Sequence, residues 1–581
     1  MEAIAKARIP VEVSGIQYNF CKNPKCENFG VPEDEDAKRG EYRYTLSGMN
    51  KGYGNIPHLK CSCCNETFPM KGNIGIAEEL KRISAYLTTS KAICCSDSNC
   101  PNHTIPVGTK KAYASFGTTR NGAKRYRCNL CKKTVSIAVP TQGQHETHKN
   151  IDIFKLLVNK APLNRIIEVT GVSWEVLYNR IDFIHKQCLV FSSNRENKLK
   201  NMELKRLYIS VDRQEYNINW TNRLDKRNIV LSAIASADNT TGYIFGINPN
   251  FDYYKNKEEI EKEALSNGDL QKSHPYRSFA HIWLNQDYKD VSKRIRSDRK
   301  KKVGNNLNED IANKYEEVLS REDVEQFSTK SNTEKLPDYG VQTKAEYTMI
   351  AHFHMLKQMM PNVEKWRFFL DQDSGIRGAC LGAFSDEVKS KTAEAFYVRI
   401  EKELTVDEKR KFKAQSKKEF NEIKEAHPGL NDGEIKIEMW KNSIQSVLHL
   451  GPWNDSWVHH PLPNMAEANK SLSWLTEHED FDLTHKAWLY NKGSLHGIES
   501  FFMQIRRRIA MLERGIHSSG NGGRVWNGYG AYNPAMVVKL LEIFRVFHNY
   551  IYVRKGEKTT AAMRLGLADA PIDHKDILYY E

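Results

Sequence analysis

Ten of the twelve cysteines crowd into residues 21–131, and their spacing repeats. Cys21 and Cys26, in FCKNPKCENFGVP, have counterparts in Cys95 and Cys100 of CCSDSNCPNHTIP. Cys61 and Cys64, in LKCSCCNETF, correspond to Cys128 and Cys131 of YRCNLCKKTV. Each copy reads C-x4-C, a long β-rich interval, then C-x2-C. Paired knuckles of this kind place four thiolates tetrahedrally around Zn²⁺, whereas a cytosolic chain disfavours disulfides. Two structural zinc ions are expected, because modules this short cannot build a sufficient core of their own. Cys63 competes with its neighbours in the first copy and Cys94 stands beside Cys95 in the second, while the solitary Cys188 and Cys380 read as buried thiols.

A second chemistry is carried by acids. In LYISVDRQEY, Leu207, Ile209 and Val211 alternate as one face of a strand that ends on Asp212. One such Asp is ordinary turn chemistry, so its meaning depends on partners. In KWRFFLDQDSGIRGACLGAF, the short apolar strand Phe368, Phe369, Leu370 ends abruptly on Asp371. Asp373 is the alternative ligand there; Asp371 is favoured because it directly ends the strand. In GSLHGIESFFMQIRRRIAMLERGI, Ile498, Phe501, Phe502, Ile505, Ile509 and Leu512 form the apolar face of a helix that carries Glu499 early. Three carboxylates from two strands and a helix suit Mg²⁺ or Mn²⁺, which take oxygen ligands and keep positions open for phosphates. Two such ions, about 3.5–4 Å apart, activate a water or 3′-OH and stabilise the leaving oxygen. Arg506, Arg507 and Arg508 follow on the same helix and suit phosphate contacts.

These acids need a scaffold. After Asp212 the chain reads as two more strands, NIVLSAIASA and GYIFGINPN, joined by the turn DNTT, giving three consecutive antiparallel strands. The helix VQTKAEYTMIAHFHMLKQMM precedes the Asp371 strand. Upstream, Ile151, Phe154 and Leu157 repeat at helical spacing, and Pro162 opens a short helix containing Ile166 and Ile167. Gly171 permits a sharp turn, and Ser173 caps a third helix with Val176, Leu177, Ile181 and Ile184 inward. A helix-turn-helix lays its last helix in the major groove, which puts Ser173, Trp174, Tyr178, Asn179 and Arg180 nearest DNA.

The charge balance agrees. Lys and Arg number 86 against 72 acids, a net +14, and residues 71–200 hold 21 basic against 9 acidic side chains, so most of the excess sits there. That concentration is the footprint of a polyanion partner. The second cysteine module supplies Lys110, Lys111, Arg120, Lys124, Arg125, Arg127, Lys132 and Lys133, whereas the acidic PEDEDAK in the first reads as a packing or protein-contact element. No apolar run reaches the roughly 18 residues of a membrane span, and the N-terminus lacks a signal-peptide core. A cytoplasmic, DNA-binding chain without membrane contact is expected.

Taken together, VDRQEY, FLDQDSGIRGA and HGIESFFMQIRRRIAMLE, in that order behind cysteine modules and a helix-turn-helix, resemble bacterial insertion-sequence transposases with a DDE triad. The closing KTTAAMRLGLADAPIDHKDIL is similar to the tail that follows the catalytic domain in many of them. The resemblance implies a multidomain α+β chain with zinc-ribbon modules at 1–75 and 76–140 (the latter with a linker helix) and a helix-turn-helix at 141–200. An RNase H-like α/β catalytic domain at 201–550 and a tail at 551–581 follow. Insertions are expected at 253–340, charged and helical with the basic run KRIRSDRKKK, and at 402–480, a helical block ending in GPWNDSWVHHPLP. Trp453 or Trp457 there offers stacking for an unpaired base, core packing being the commoner outcome. Asp212, Asp371 and Glu499 take the triad roles. The implied activity is cutting beside terminal repeats and joining 3′-OH ends to target DNA, by at least a dimer in the bacterial cytoplasm and nucleoid. A related nuclease and a catalytically silent DNA-binding regulator are the alternatives.

Overall fold

The computed structural model describes residues 9–34, 36–38, 40–50, 56–89, 93–107, 109–120, 122–137, 139–220, 222–294, 306–319, 333–401, 403–477, 480–517 and 524–580. Most of the basic run at 293–302 lies outside them. The chain divides into two compact units. One comprises Ser84–Asn201, Ile505–Glu513 and Met536–Glu581, and the other Met1–Ile83, Met202–Gln504 and Arg514–Ala535.

The unit beginning at Ser84 holds the second cysteine module, a three-stranded antiparallel sheet of Tyr113–Thr118, Lys124–Cys128 and Thr134–Ile137. Three helices follow: α1 (Lys149–Leu157), α2 (Leu163–Thr170) and α3 (Trp174–Glu196). Gly171 ends α2 at φ 68°, a left-handed position that favours glycine, and the Ser173 side chain caps α3 by accepting from the Val176 N–H. The buried face includes Phe154, Leu157, Ile166, Leu177, Ile181 and Ile184 as the spacing predicts, with Val176 half-buried. At the far end of α3, Glu196 is fully buried and paired with Arg545, and it also accepts from the Tyr86 hydroxyl. This shared pair ties the start of the unit, α3 and the Pro534–Val546 helix together.

The other unit is built on an eight-stranded mixed sheet. Its strands are β1 (Leu207–Ile218), β2 (Ile229–Asp238), β3 (Ile244–Pro249), β4 (Trp366–Asp371), β5 (Ala393–Ile400), β6 (Leu448–Leu450), β7 (Asp455–His459) and β8 (Lys470–Trp474). They lie in the order β6-β7-β8-β5-β4-β1-β2-β3. The pairs β1–β4 and β4–β5 are parallel and the rest antiparallel, so the central strands run together while β1, β2 and β3 form the expected meander. Helix α4 (Ala345–Met359) crosses β3 where Gly246 leaves room for it: a Cβ there would stand 2.8 Å from the Met355 methyl.

The segment expected as a helical block is helical only at first. After Val406–Ala426 and Asp432–Ile444, the chain forms β6, β7 and β8, which extend the sheet on the β5 side. Trp457 is core, stacked on Tyr397 of β5 with its indole N–H donated to the Tyr315 hydroxyl, and Trp453 lies half-buried beneath the Arg377 guanidinium. Neither stands free as a stacking surface. Helix α5 (Ser374–Ala383) follows β4, and its small residues receive the first cysteine module. A Cβ on Gly382 would lie 2.3 Å from the Tyr18 ring, Lys389 donates to the Gly30 carbonyl, and Lys71 pairs with Glu346. The first module is thus a packing element of this unit. Among the described residues, no helix is long and apolar enough to cross a membrane.

Candidate metal centres and acidic site

Both cysteine quartets assemble. Among the described residues, Cys21, Cys26, Cys61 and Cys64, and Cys95, Cys100, Cys128 and Cys131, bring their sulfurs within 4.8 Å of one another. The Sγ pairs Cys21–Cys64, Cys26–Cys61 and Cys100–Cys128 stand 3.5, 3.7 and 3.7 Å apart, and Cys95–Cys131 is 3.2 Å. A tetrahedron with Zn–S bonds of about 2.3 Å has edges of roughly 3.8 Å, so both sets fit a structural zinc ion. Cys63 is exposed and Cys94 half-buried, and neither belongs to a quartet. Cys188 and Cys380 are buried thiols, as their isolation predicts.

The repeat extends beyond the ligands. Asn28 donates to the Cys61 sulfur (3.4 Å) and Asn102 to that of Cys128 (3.2 Å). The hydroxyls of Tyr44 and Tyr113 accept from the N–H of Cys21 and Cys95 and donate to the carbonyls of Asn28 and Asn102. Asn65 and Lys132, each next after the last cysteine, both adopt φ 60°. Aligning CENFGVP with CPNHTIP puts Asn28 and Asn102 at the same place, so the sequence held this signal. Burial pushes the Cys128 thiol up, but the N–H groups of Cys131 and Leu130 and the Asn102 amide outweigh it and bring it down to about 6.

Around the second centre the expected basic side chains are mostly exposed. Arg125, half-buried, and Arg127 place their guanidinium groups 5.2 and 5.4 Å from the exposed Phe116 ring. Lys133 is ion-paired with Asp97, and Lys132 donates to the Asn129 carbonyl. On α3, Ser173, Trp174, Tyr178 and Asn179 are exposed, with Trp174 and Tyr178 stacked at 6.3 Å. Arg180 departs from expectation. It is 7% exposed and donates to the His145 carbonyl, because at this helical position it faces the inside with Leu177 and Ile181.

The acids occupy the centre of the large sheet. β1 and β4 are parallel and paired as far as Leu370 beside Val211, and Asp371 and Asp212 are the next residue on each strand. Neighbouring strands lie about 4.8 Å apart and in-register residues share a face. Asp212 is buried and Asp371 partly so; across the other edge of β1, Asp212 pairs with Ala235.

Glu499 comes from α6 (His496–Arg508), whose residues up to Gln504 belong to this unit. The start of that helix is fastened group by group. The N–H of Leu495 goes to Glu467, that of His496 to the Ser494 hydroxyl, that of Gly497 to Asn239 and that of Ile498 to the Ser210 hydroxyl. A helix N-terminus leaves four such donors without an internal partner, and here side chains from the sheet and its loops satisfy them. Gly497 is required, since a Cβ there would stand 2.5 Å from the Asn239 oxygen. Ser210 lies two residues before Asp212 and hence on the same face of β1, so the strand that carries one acid holds the helix that carries another. Glu467 also pairs with buried Lys470 at 2.6 Å. Burial pulls the Lys470 ammonium down, opposed by Glu467 and then Glu499, so a positive charge is buried near the third acid. Sequence reading missed Ser210, Asn239, Glu467 and Lys470, for no spacing rule links them.

Asp373 has other duties. Its carboxylate caps α5, accepting from the N–H of Gly375 (2.8 Å) and Ile376 (3.2 Å), and pairs with Arg213 at 2.9 Å. Asp373 first, and then more weakly Glu215, Asp212 and Asp371, hold the Arg213 guanidinium in its charged form against burial. Asp212, Asp371 and Glu499 do not form a group with oxygens within 4.8 Å of one another; among the described residues only the cysteine quartets do. Of the arginines after Glu499, Arg507 is exposed and Arg506 half-buried. Arg508 packs over Tyr552 and Phe547 and donates to Asn159, which fixes it in the packing rather than presenting it to a phosphate.

Compared with known proteins, the chain matches no protein-family model and no curated protein.

Proposed function

We propose that this chain is a DDE-type DNA transposase with an RNase H-like catalytic domain. The observation that carries the reading is that Asp212 and Asp371 each directly follow the last paired residues, Val211 and Leu370, of two central parallel strands, with the Glu499 helix anchored on Ser210 of β1. The sheet supports it: β1, β2 and β3 form the antiparallel meander read from the sequence, and the acid-bearing strands β1 and β4 pair in parallel at its centre. So does the other unit, where a basic module and a helix with an exposed aromatic N-terminal face stand together.

Hard carboxylate oxygens fit Mg²⁺ or Mn²⁺, which when bound would activate an attacking oxygen and stabilise a leaving one. Asp212 and Asp371 would supply ligands from the sheet and Glu499 a third from its capped helix. Asp373 keeps the neighbouring Arg213 paired, which leaves Asp371 as the second acid of the triad. The substrate is double-stranded DNA, bound at element ends through the second module and α3, and coordinated cutting of two ends calls for at least a dimer.

The test is a strand-transfer assay with the purified chain, Mg²⁺ or Mn²⁺, and linear DNA carrying the element ends. Joined products with the parent and none with Asp212→Asn are expected. Cleavage without joining would instead identify a nuclease, and DNA binding without either a silent regulator.

A further inference from the structure

Beyond the Glu499 helix the sheet-bearing unit includes Arg514–Ala535, RGIHSSGNGGRVWNGYGAYNPA. It has six glycines, no Asp or Glu, and the basic residues Arg514 and Arg524. Ile516–His517 pairs with Val525–Trp526 as a short hairpin. The chain after it is fixed to the far end of the β1–β2 ribbon, past the point where β4 stops. The Asn228 amide donates to the Val525 carbonyl (2.8 Å) and its oxygen accepts from the Val525 N–H (3.1 Å). Asn219 donates its N–H to the Ala531 carbonyl (2.9 Å) and its amide to that of Asn527 (2.8 Å).

On this anchored backbone three large aromatic side chains face solvent: Trp526 is 42% exposed, Tyr529 52% and Tyr532 44%. Gly530 and Ala531 are buried, Gly530 against Asn219, and the Trp526 ring lies along Gly528, where a Cβ would come within 3.3 Å of it. Flat rings on a segment that carries two arginines and no Asp or Glu match the faces of nucleic-acid bases and the charge of their backbone.

We infer that Trp526, Tyr529 and Tyr532, with Arg514 and Arg524, form a stacking platform for unpaired bases of a DNA strand. The proposed transposase activity supplies only its purpose. Asn219 lies seven residues past Asp212 along β1 and its end, roughly 20 Å at strand rise, a distance that a few unpaired nucleotides span. The platform would thus hold a strand opened beside the acidic site.

The experiment uses the full chain carrying Asp212→Asn, so that nothing is cut, and measures anisotropy of a fluorescein-labelled oligodeoxythymidine strand and of a blunt mixed-sequence duplex. Replacing Trp526, Tyr529 and Tyr532 together by Ala should weaken single-strand binding about tenfold or more. Duplex binding should stay within about twofold and the melting temperature should not move, since the rings are exposed. Trp526→Phe, which keeps a stacking face, should retain most of the affinity. Unchanged single-strand affinity, or an equal loss for both DNAs, overturns the proposal. So does a change in sedimentation without a change in strand affinity, which would mark a surface between copies of the chain. Because the readout needs neither metal nor cleavage, a failed strand-transfer assay with intact single-strand binding would sink the transposase reading and leave this one standing.

Discussion

At the scale of single residues, Asp371 and Asp373 sit two positions apart and do different work. Asp373 is committed to capping α5 and pairing with Arg213, while Asp371 directly follows Leu370, the partner of Val211. Asp212→Asn, Asp371→Asn and Glu499→Gln should each abolish metal-dependent cleavage and joining while leaving DNA binding intact. Their melting temperatures should be unchanged or slightly higher, since removing one of several neighbouring negative charges relieves repulsion. Asp373→Asn keeps a capping oxygen and should retain measurable activity; Asp373→Ala should cost about 1 kcal/mol in chemical denaturation. A separate test is pH. Glu394 on β5 is fully buried and paired with Arg367, its in-register neighbour on β4. Burial outweighs the arginine and pushes its carboxyl up to about 7. A raised pKa means that this group's contribution is full below about 4.5 and is lost as pH rises through 7, by up to about 3 kcal/mol. Glu394→Gln should therefore flatten the fall in melting temperature between pH 5 and pH 8; an equal slope in parent and variant would refute the assignment.

Among elements, the decisive joints are the start of α6 and the two cysteine modules. Ser210→Ala removes one cap and should cost about 1 kcal/mol. Glu467→Ala leaves buried Lys470 unpaired and should cost about 3–5 kcal/mol. If the helix start positions Glu499, Ser210→Ala should also raise the Mg²⁺ concentration needed for half-maximal activity, which a purely structural loss would not do. Metal analysis of the whole chain should find close to two zinc ions. Cys128→Ser should leave about one and unfold the second module. Protons compete with metal for thiolates, so acidification should release zinc, and retention of both ions well below pH 4 would contradict tetrathiolate sites. Cutting after residue 195 is a poor route to the same question: it separates the first module from α5, and Glu196 and Arg545 from the unit they close.

For the whole molecule, the long-range property is charge. Affinity for duplex DNA should fall steeply and log-linearly with salt, because neutralising phosphates releases counterions. Arg125→Ala and Lys132→Ala should weaken all sequences alike and lower that slope by about one each. Asn179→Ala and Trp174→Ala, on the exposed face of α3, should change the preference among ends instead. Arg180 no longer belongs with them: buried and hydrogen-bonded to His145, its loss should appear as instability of the helix-turn-helix. Uniform losses from all four surface changes would remove α3 as the reader of sequence.

What the sequence determined by itself was whatever is local or repeated. Cysteine spacing fixed both quartets, since four thiolates within short knuckles have few ways to meet. Alternation and helical period placed Asp212 and Asp371 at strand positions and Glu499 on an amphipathic helix, and Gly171–Ser173 marked the turn before α3. Only the tertiary structure decided what depends on residues distant in the chain. It set Leu370 beside Val211, each directly before an acid, through a parallel pairing that joins residues some 160 positions apart. Side chains as remote as Ser210, Asn239 and Glu467 close the start of the Glu499 helix, and three further strands enter a segment whose first half is helical. Arg180 and Arg508 turned inward for the same reason: a guanidinium on a helix reads as surface charge until packing supplies a carbonyl or an aromatic face for it. Parallel pairing and side-chain capping follow no sequence period, because the partner is chosen by the fold and not by the neighbouring residues.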